Sequence, residues 1–433
     1  MGKKRRYQAI PVNDDRVESL IAAVAGQRVV VGIDIAKTKE FAAFMTEDGR
    51  VHATVRWAHP KQSPQFLQVL ARMRQQGSRV ELAMEPSSTY GDALRAALLE
   101  AGFPVFRVSP KRSHDAAEVY DGVPSLHDAK SAAIVAKLHL DGLSEVWGPR
   151  SEYERGLAAG VSVLRVFETQ YRGNCNRLEA LLARHWPELF RELEHGSATS
   201  LELLMEFGSA REVAERREEA RELMRRVGGA RLASERIDAV LDAAESTFGI
   251  DPTAEEREAI QAIAAEARRC QQASRKAKRT LEKRTEHEGA AREMRHVVGK
   301  TTAAVLIAML GEPGRYESAA AYEKALGYNL REKSSGESRG GLHITKRGPG
   351  LARMFLHMAT LRLLQEDPIV DAWYTKKVRR QGGQAKLKAV VAVTRKLVRA
   401  LWHVAQGAAF DARLLFDTSR LRLTAEPTPE PIA

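Results

Sequence analysis

From about residue 150 to residue 295 the chain carries almost no strand signal. Glu, Arg, Ala and Leu dominate there, and the only prolines are Pro187 and Pro252. A stretch of that length without β-branched alternation folds as long helices, so any sheet has to be sought before it. Asp251-Pro252-Thr253-Ala254-Glu255-Glu256 combines a cap, a proline and early acids, the marks of a helix start. The helix it opens passes from acidic to basic residues (Arg268, Arg269, Arg275, Lys276, Lys278, Arg279, Lys283, Arg284), which suits the helix dipole. A long helical hairpin or coiled-coil arm is expected over 151–295. An arm of this length needs something to pack on, and a second protomer is the simplest partner.

The region before it reads differently. Residues 28–36 form a short β-branched run ending in small residues, a buried strand. Phe41–Met45 and Val51–Trp57 follow as a hairpin around Glu47-Asp48-Gly49-Arg50. Helical spacing covers 61–76, Val80–Met84 is a fourth strand, Tyr90–Ala101 a helix, and Pro104–Val108 a fifth strand. Three strands, then helix, strand, helix, strand and helix is the order of an RNase H-like α/β domain over 28–150, and it leaves other α/β sheets open. After residue 296 helical spacing returns at 301–310, 317–326, 349–365 and 385–405, a mostly helical C-terminal domain over 296–415. The Pro-rich end reads as a disordered tail, 416–433, and residues 1–27 as a basic N-terminal arm.

The chain of 433 residues has a formal net charge of +12 and a pI near 9.7, which favours a polyanionic partner, nucleic acid first. No apolar run approaches the roughly 20 residues that span a bilayer, and Met1-Gly2-Lys3-Lys4-Arg5-Arg6 has no apolar segment behind it, so neither membrane nor secretion is expected. Cys175 and Cys270 lie far apart and fit a reducing cytoplasm.

Three acids stand at the edges of apolar segments: Asp34 ending the first strand, Glu85 ending the fourth, and Asp128 heading a helix. In the expected sheet the first and fourth strands are neighbours, so Asp34 and Glu85 end side by side and the Asp128 helix crosses that edge. Clustered hard oxygens suit Mg²⁺, which stabilises attacking and leaving oxygens in phosphoryl transfer. Singly, each acid also has a structural reading: Asp128 as a helix N-cap, Glu85 as a loop acid before proline. Asp34 resists one, because a charge ending a strongly apolar strand needs a partner.

Some 200 residues later comes Ser334-Ser335-Gly336-Glu337-Ser338-Arg339-Gly340-Gly341, followed by Ile344-Thr345-Lys346-Arg347-Gly348. A serine hydroxyl beside glycines that permit close backbone approach, with Arg339, Lys346 and Arg347 to neutralise charge, is suited to attack on phosphorus. A basic loop that only binds backbone phosphate reads equally well from these residues alone. Residues 374–403 hold nine Lys or Arg and no acid, namely Lys376, Lys377, Arg379, Arg380, Lys386, Lys388, Arg395, Lys396 and Arg399. Such a one-signed run reads as phosphate binding. Gly299-Lys300-Thr301 is not a P-loop, since the first glycine of that motif would fall on Met294; Val298-Gly299 opening a helix suits a backbone phosphate contact instead.

The Ser334-Ser335-Gly336, Gly341 and Ile344-Thr345-Lys346-Arg347-Gly348 set resembles the signature of the bridge-RNA-guided insertion-sequence transposases. Gly32-Ile33-Asp34-Ile35-Ala36-Lys37, Glu85-Pro86-Ser87-Ser88 and Pro124-Ser125-Leu126-His127-Asp128-Ala129-Lys130 resemble its N-terminal blocks. Val298-Gly299-Lys300-Thr301-Thr302-Ala303, Gly327 and Arg395-Lys396-Leu397 resemble its C-terminal ones. The resemblance implies a RuvC-like domain of DEDD type whose acids hold Mg²⁺, here Asp34, Glu85 and Asp128, and a C-terminal serine domain. It implies Ser335 as the nucleophile, with Ser334 its neighbour, forming a covalent phosphoserine. It also implies donor and target DNA, a structured guide RNA, and a homo-oligomer (dimer or tetramer) acting at the bacterial nucleoid. The family's fourth acid falls on Ser131. Three acids then suffice, or Asp121 or Asp141 helps, or activity is reduced. Two other readings share these features: a guide-independent invertase of the Piv type, and a catalytically silent nucleic-acid-binding protein.

Overall fold

The computed structural model describes residues 8–120, 122–124, 127–286, 289–332 and 340–421. These divide into two compact units, Met1–Arg150 and Ser151–Ala433.

The first unit is built on a seven-stranded sheet. Its strands are β1 (Ala9–Pro11), β2 (Arg28–Asp34), β3 (Lys39–Thr46), β4 (Val51–Ala58), β5 (Arg79–Met84), β6 (Val105–Val108) and β7 (Ser144–Val146), in the spatial order β1-β4-β3-β2-β5-β6-β7. The pairs β2–β3, β3–β4 and β6–β7 are antiparallel; β2–β5, β5–β6 and β1–β4 are parallel. The central strand β2 reads Arg-Val-Val-Val-Gly-Ile-Asp, and Val29, Val30, Val31 and Ile33 are completely buried. Continuous apolar sequence of this kind belongs to a strand covered on both faces.

Alternation then assigns the faces. Val29, Val31 and Ile33 pack with Ala42, Phe44, Leu82 and Met84 under helices α1 (Arg16–Ala23), α2 (Ser63–Gln75) and α3 (Asp92–Glu100). The other face, carrying Val30, Gly32, Ala43, Met45 and Ala83, lies near the short α4 (Pro110–Asp115) and under α5 (Asp128–Leu140). Residues 8–27 are not a free arm. β1 joins the sheet edge, and α1 contributes Val17, Leu20 and Ile21 to the core, because an amphipathic turn beside a sheet buries its apolar stripe.

The second unit begins with α6 (Glu152–His185), 34 residues long, running antiparallel to α12 (Ala254–Arg284), 31 residues long. Gly156 and Gly160 of α6 lie against Arg284 and Leu281, while Arg184 at its far end pairs with Glu256. Both helices start with complete capping boxes, Ser151/Glu154 and Thr253/Glu256. The arm is not a bare hairpin. Five helices, α7 (Leu189–Glu192), α8 (Ala198–Glu206), α9 (Ala210–Glu215), α10 (Arg217–Gly228) and α11 (Ser234–Glu245), fill the connection and share a core with its far end around Trp186, Phe207 and Met224.

At the near end a second core joins Leu157, Val161, Leu164 and Leu281 of the arm to the rest of the unit. That rest comprises α13 (Gly289–Val298), α14 (Lys300–Leu310), α15 (Ala319–Ala325), α16 (Gly350–Glu366), α17 (Pro368–Arg380), α18 (Lys386–Val404) and α19 (Ala412–Leu415). α14 is buried from Thr301 to Ala308, a core helix, and its Lys300 is paired with Glu286. Phe416 is buried against Trp373, ring centroids 4.8 Å apart, so the fold continues past the expected start of the tail. Cys175 and Cys270 are buried free thiols, and among the described residues no helix is long and apolar enough to cross a membrane.

Candidate functional site

Asp34 is the last residue of β2. The β2–β5 register ends on Ile33 opposite Met84, so one residue further Asp34 lies beside Glu85. Both follow the alternation onto the α5 face. Gly32 explains how α5 comes so close: a Cβ there would stand 2.2 Å from the Ala132 carbonyl oxygen and 2.4 Å from the Ala136 nitrogen. Only glycine on the strand and alanines on the helix allow backbone to meet backbone. This contact seats α5 along β2 and brings its first residue, Asp128, to the strand ends. Asp128 is not the helix cap. That position belongs to His127, whose Nδ1 accepts from the Lys130 N–H at 3.3 Å, so the structural reading of Asp128 falls away.

The three acids feel one another. Burial, then the charges of Asp128 and Glu85, push the Asp34 carboxyl up to about 7. Like charges gathered in a partly buried place favour the neutral form. Glu81, on the same sheet face at the other end of β5, is the contrast. Burial opposes its charge, but hydrogen bonds from Arg28 (2.9 Å) and His139 (3.0 Å) outweigh that, and its carboxyl falls below its ordinary range. Asp34 has no such cation among the described residues. Nor does any group of three His, Cys, Asp or Glu among them stand at metal-binding spacing. In donor type and uncompensated charge the acids nevertheless fit a hard divalent cation.

A fourth carboxylate, Glu40, escaped the sequence reading. Its side chain is fully buried and neither oxygen makes a hydrogen bond; His59 Nδ1 is 3.5 Å from Oε1. Burial, then Asp34, push it up to about 8. Asp34 pairs with Phe41, so alternation puts Glu40 on the opposite sheet face, across from Trp57. Ser131 lies one turn along α5 from Asp128. Asp141 caps the far end of that helix, about 20 Å along it, and is engaged by Tyr120 at 2.8 Å and Lys137 at 3.1 Å. It is therefore no substitute for a fourth acid. Asp121 lies outside the described residues.

In the second unit, Ser334, Ser335 and Arg339 lie outside the described residues, but both ends of their segment are described. β8 (Leu330–Arg331) and β9 (His343–Ile344) pair antiparallel on either side of that segment in the sequence. Thr345 N–H donates to the Asn329 carbonyl and Lys346 N–H to the Gly327 carbonyl, each at 2.9 Å. Gly327, at φ +77°, admits the Lys346–Arg347 backbone where a Cβ would meet it at 2.7 Å. Lys346 takes φ +55°, which is uncommon for a side chain of this kind. Lys346 and Arg347 are both exposed beside this strand pair.

The basic run splits in two. Arg379, Arg380, Lys386 and Lys388 are exposed around the turn between α17 and α18, where Gly382 and Gly383 have positive φ. Lys376 is exposed nearby, and Lys377 lies over the Trp373 ring at 5.7 Å. Lys386 and Lys388 occupy the first turn of α18, which has no acid and no side-chain cap, so they oppose its dipole. Arg395 and Lys396 instead serve the fold. Arg395 bonds buried Glu323 at 2.7 Å; Lys396 donates to the Leu415 carbonyl at 2.6 Å and lies near the Trp373 and Phe416 rings. Sequence shows the sign of a charge and not its direction.

Residues 31–187 match the DEDD transposase family of the IS110 type, and residues 296–375 match the family described as Transposase IS116/IS110/IS902; together they cover more than half of the chain. The chain belongs to the insertion-sequence transposases of the IS110 type. No curated protein matches it.

Proposed function

We propose that this transposase cuts and rejoins DNA through a covalent phosphoserine on Ser335, with Mg²⁺ held by Asp34, Glu85 and Asp128 in an RNase H-like domain. The observation that carries the reading is that Asp34 ends its strand beside Glu85 and feels the charges of both Glu85 and Asp128, with no cation among the described residues offsetting them at Asp34. A divalent cation bound there supplies positive charge against the attacking and leaving oxygens.

The chain's own residues supply the rest. Ser335 Oγ bonds to phosphorus while one phosphorus–sugar oxygen bond breaks; the hydroxyl proton leaves to a base and the departing sugar oxygen takes one up. One phosphoester replaces another, so rejoining needs no external energy source. Lys346 and Arg347, exposed beside the β8–β9 pair, are placed to offset charge on the phosphorane, and Arg339 is given the same role by its place in the loop. The exposed cations Lys376, Arg379, Arg380, Lys386 and Lys388, with half-buried Lys377 beside them, bind backbone phosphate. A guide RNA and an oligomer in which acids and serine come from different protomers rest on the family resemblance.

The test is adduct formation. Ser335→Ala should abolish covalent protein–DNA species while DNA binding persists, and Asp34→Ala should abolish Mg²⁺-dependent cleavage. Adducts that survive in Ser335→Ala would move the role to Ser334 or remove the mechanism. A discrete RNA co-purifying from the native host supports guidance, and its absence favours the guide-independent invertase.

A further inference from the structure

A shallow cavity of about 310 Å³ adjoins the acids, lined by Ala9, Phe41, Arg56, His127, Asp128 and Ala129. Its wall opposite Asp128 is set by sheet register. Asp34 pairs with Phe41 on β3, and Phe41 with Arg56 on β4, so the three stand in one row on one face. Two strand spacings separate Asp34 from Arg56, about 10 Å between Cα atoms.

Arg56 is exposed, and among the described residues its guanidinium makes no ion pair and no side-chain hydrogen bond. Arg16, Arg28, Arg72, Arg79, Arg95 and Arg107 of the same unit all hold carboxylates. The Arg56 backbone, in contrast, is fixed: its carbonyl accepts from the Val12 N–H at 3.0 Å and its strand is paired on both sides. Across the cavity, His127 is fixed as the cap of α5, its Nδ1 accepting from the Lys130 N–H. The cavity thus offers an uncommitted planar fork of N–H donors on one wall and a metal-suited carboxylate on another, the combination that recognises a phosphodiester.

We propose that Arg56 holds one non-bridging oxygen of the DNA phosphodiester while the divalent cation that Asp34 and Asp128 would hold meets the other, and that this cavity seats the phosphate. The proposal rests on the DNA-cutting function above and adds the residue that orients the substrate. It does not depend on which side chain is the nucleophile.

Arg56→Ala and Arg56→Lys in the full chain test it. Arg56→Ala should cut DNA about 100–1,000-fold more slowly, the usual cost of one lost charge-stabilising donor. Its Mn²⁺ affinity, read from the free-ion paramagnetic signal, should stay within about twofold, since Arg56 is no metal ligand. Arg56→Lys should recover part of the rate. A neutral methylphosphonate at the mapped scissile position should slow the wild type strongly and Arg56→Ala much less, because the charge that Arg56 meets is already gone. Equal penalties in the two chains would overturn the proposal, as would cleavage by Arg56→Ala within threefold of wild type or loss of Mn²⁺ binding with the arginine. A binding arm stands apart from the reaction. In the Ser335→Ala background, Arg56→Ala should weaken DNA binding about tenfold at fixed salt. Unchanged affinity there overturns the proposal, whatever becomes of the phosphoserine.

Discussion

Gly32→Ala perturbs the site without touching any of its charged groups. The new Cβ would lie 2.2 Å from the Ala132 carbonyl oxygen and 2.4 Å from the Ala136 nitrogen, and both are backbone atoms that no rotamer change can move. Ordinary contact begins near 3.4 Å, so α5 has to retreat from β2 by about 1 Å. Overpacking of this kind costs about 1–3 kcal/mol, which in a unit of this size lowers the melting temperature by roughly 3–10 °C. Asp128 heads the displaced helix, so its carboxylate leaves Asp34 by a similar distance. A 1 Å misplacement of a reacting group costs about 100-fold in rate. Thermal unfolding by circular dichroism, with Mg²⁺-dependent cleavage of an end-labelled duplex, measures both effects. A Gly32→Ala protein that melts and cuts like wild type would refute the claim that close α5–β2 packing places the third acid.

Four further outcomes are expected. Glu40 is held neutral by burial, and its carboxyl is raised from 4.5 to about 8. Its contribution is therefore full below pH 4.5 and is lost as pH rises through 8; Glu40→Gln should be no more stable than wild type at pH 4.5 and more stable at pH 8.5 in urea titrations. Millimolar Mg²⁺ should raise the melting temperature of the wild type at pH 8 and leave Asp34→Ala unmoved, as read by scanning calorimetry. Replacing Arg379, Arg380, Lys386 and Lys388 together by alanine should flatten log Kd against log salt by up to about 3–4 units of slope, whereas Lys396→Ala should lower the unfolding midpoint and leave that slope nearly unchanged. Glu323→Ala should destabilise the second unit by about 1–3 kcal/mol, because Arg395 and Arg399 both lose their buried acceptor.

Much of the site was legible because strands have a period of two. Once Asp34 and Glu85 each ended an apolar strand, parallel pairing of the two strands was enough to bring them together. Asp128 was found by type and position, but the identity of the cap beside it, His127, depended on side-chain geometry that no periodicity carries. Glu40 was missed because Lys39-Glu40 at the start of a strand reads as its solvated end, yet its side chain is buried beside Trp57 and His59. Arg56 was not singled out for a related reason: its row with Asp34 exists only through two successive strand pairings. β1 and β7, three residues each, hold no local signal and owe their form to the strands they edge. Between α6 and α12 there is almost no strand signal, so the five-helix connection was read as plain arm; the breaks fall at glycines such as Gly196 and Gly208, at caps such as Ser197 and Ser209, and are held by a shared core.

The most direct measurement quenches a Mg²⁺-dependent reaction on DNA carrying an end of the element, isolates the protein–DNA adduct and maps the modified residue by mass spectrometry. A nucleotide phosphoester on Ser335, absent from Asp34→Ala and Ser335→Ala chains, is the predicted result. An adduct on any other residue, or strand transfer that proceeds with no covalent protein–DNA species, would contradict it.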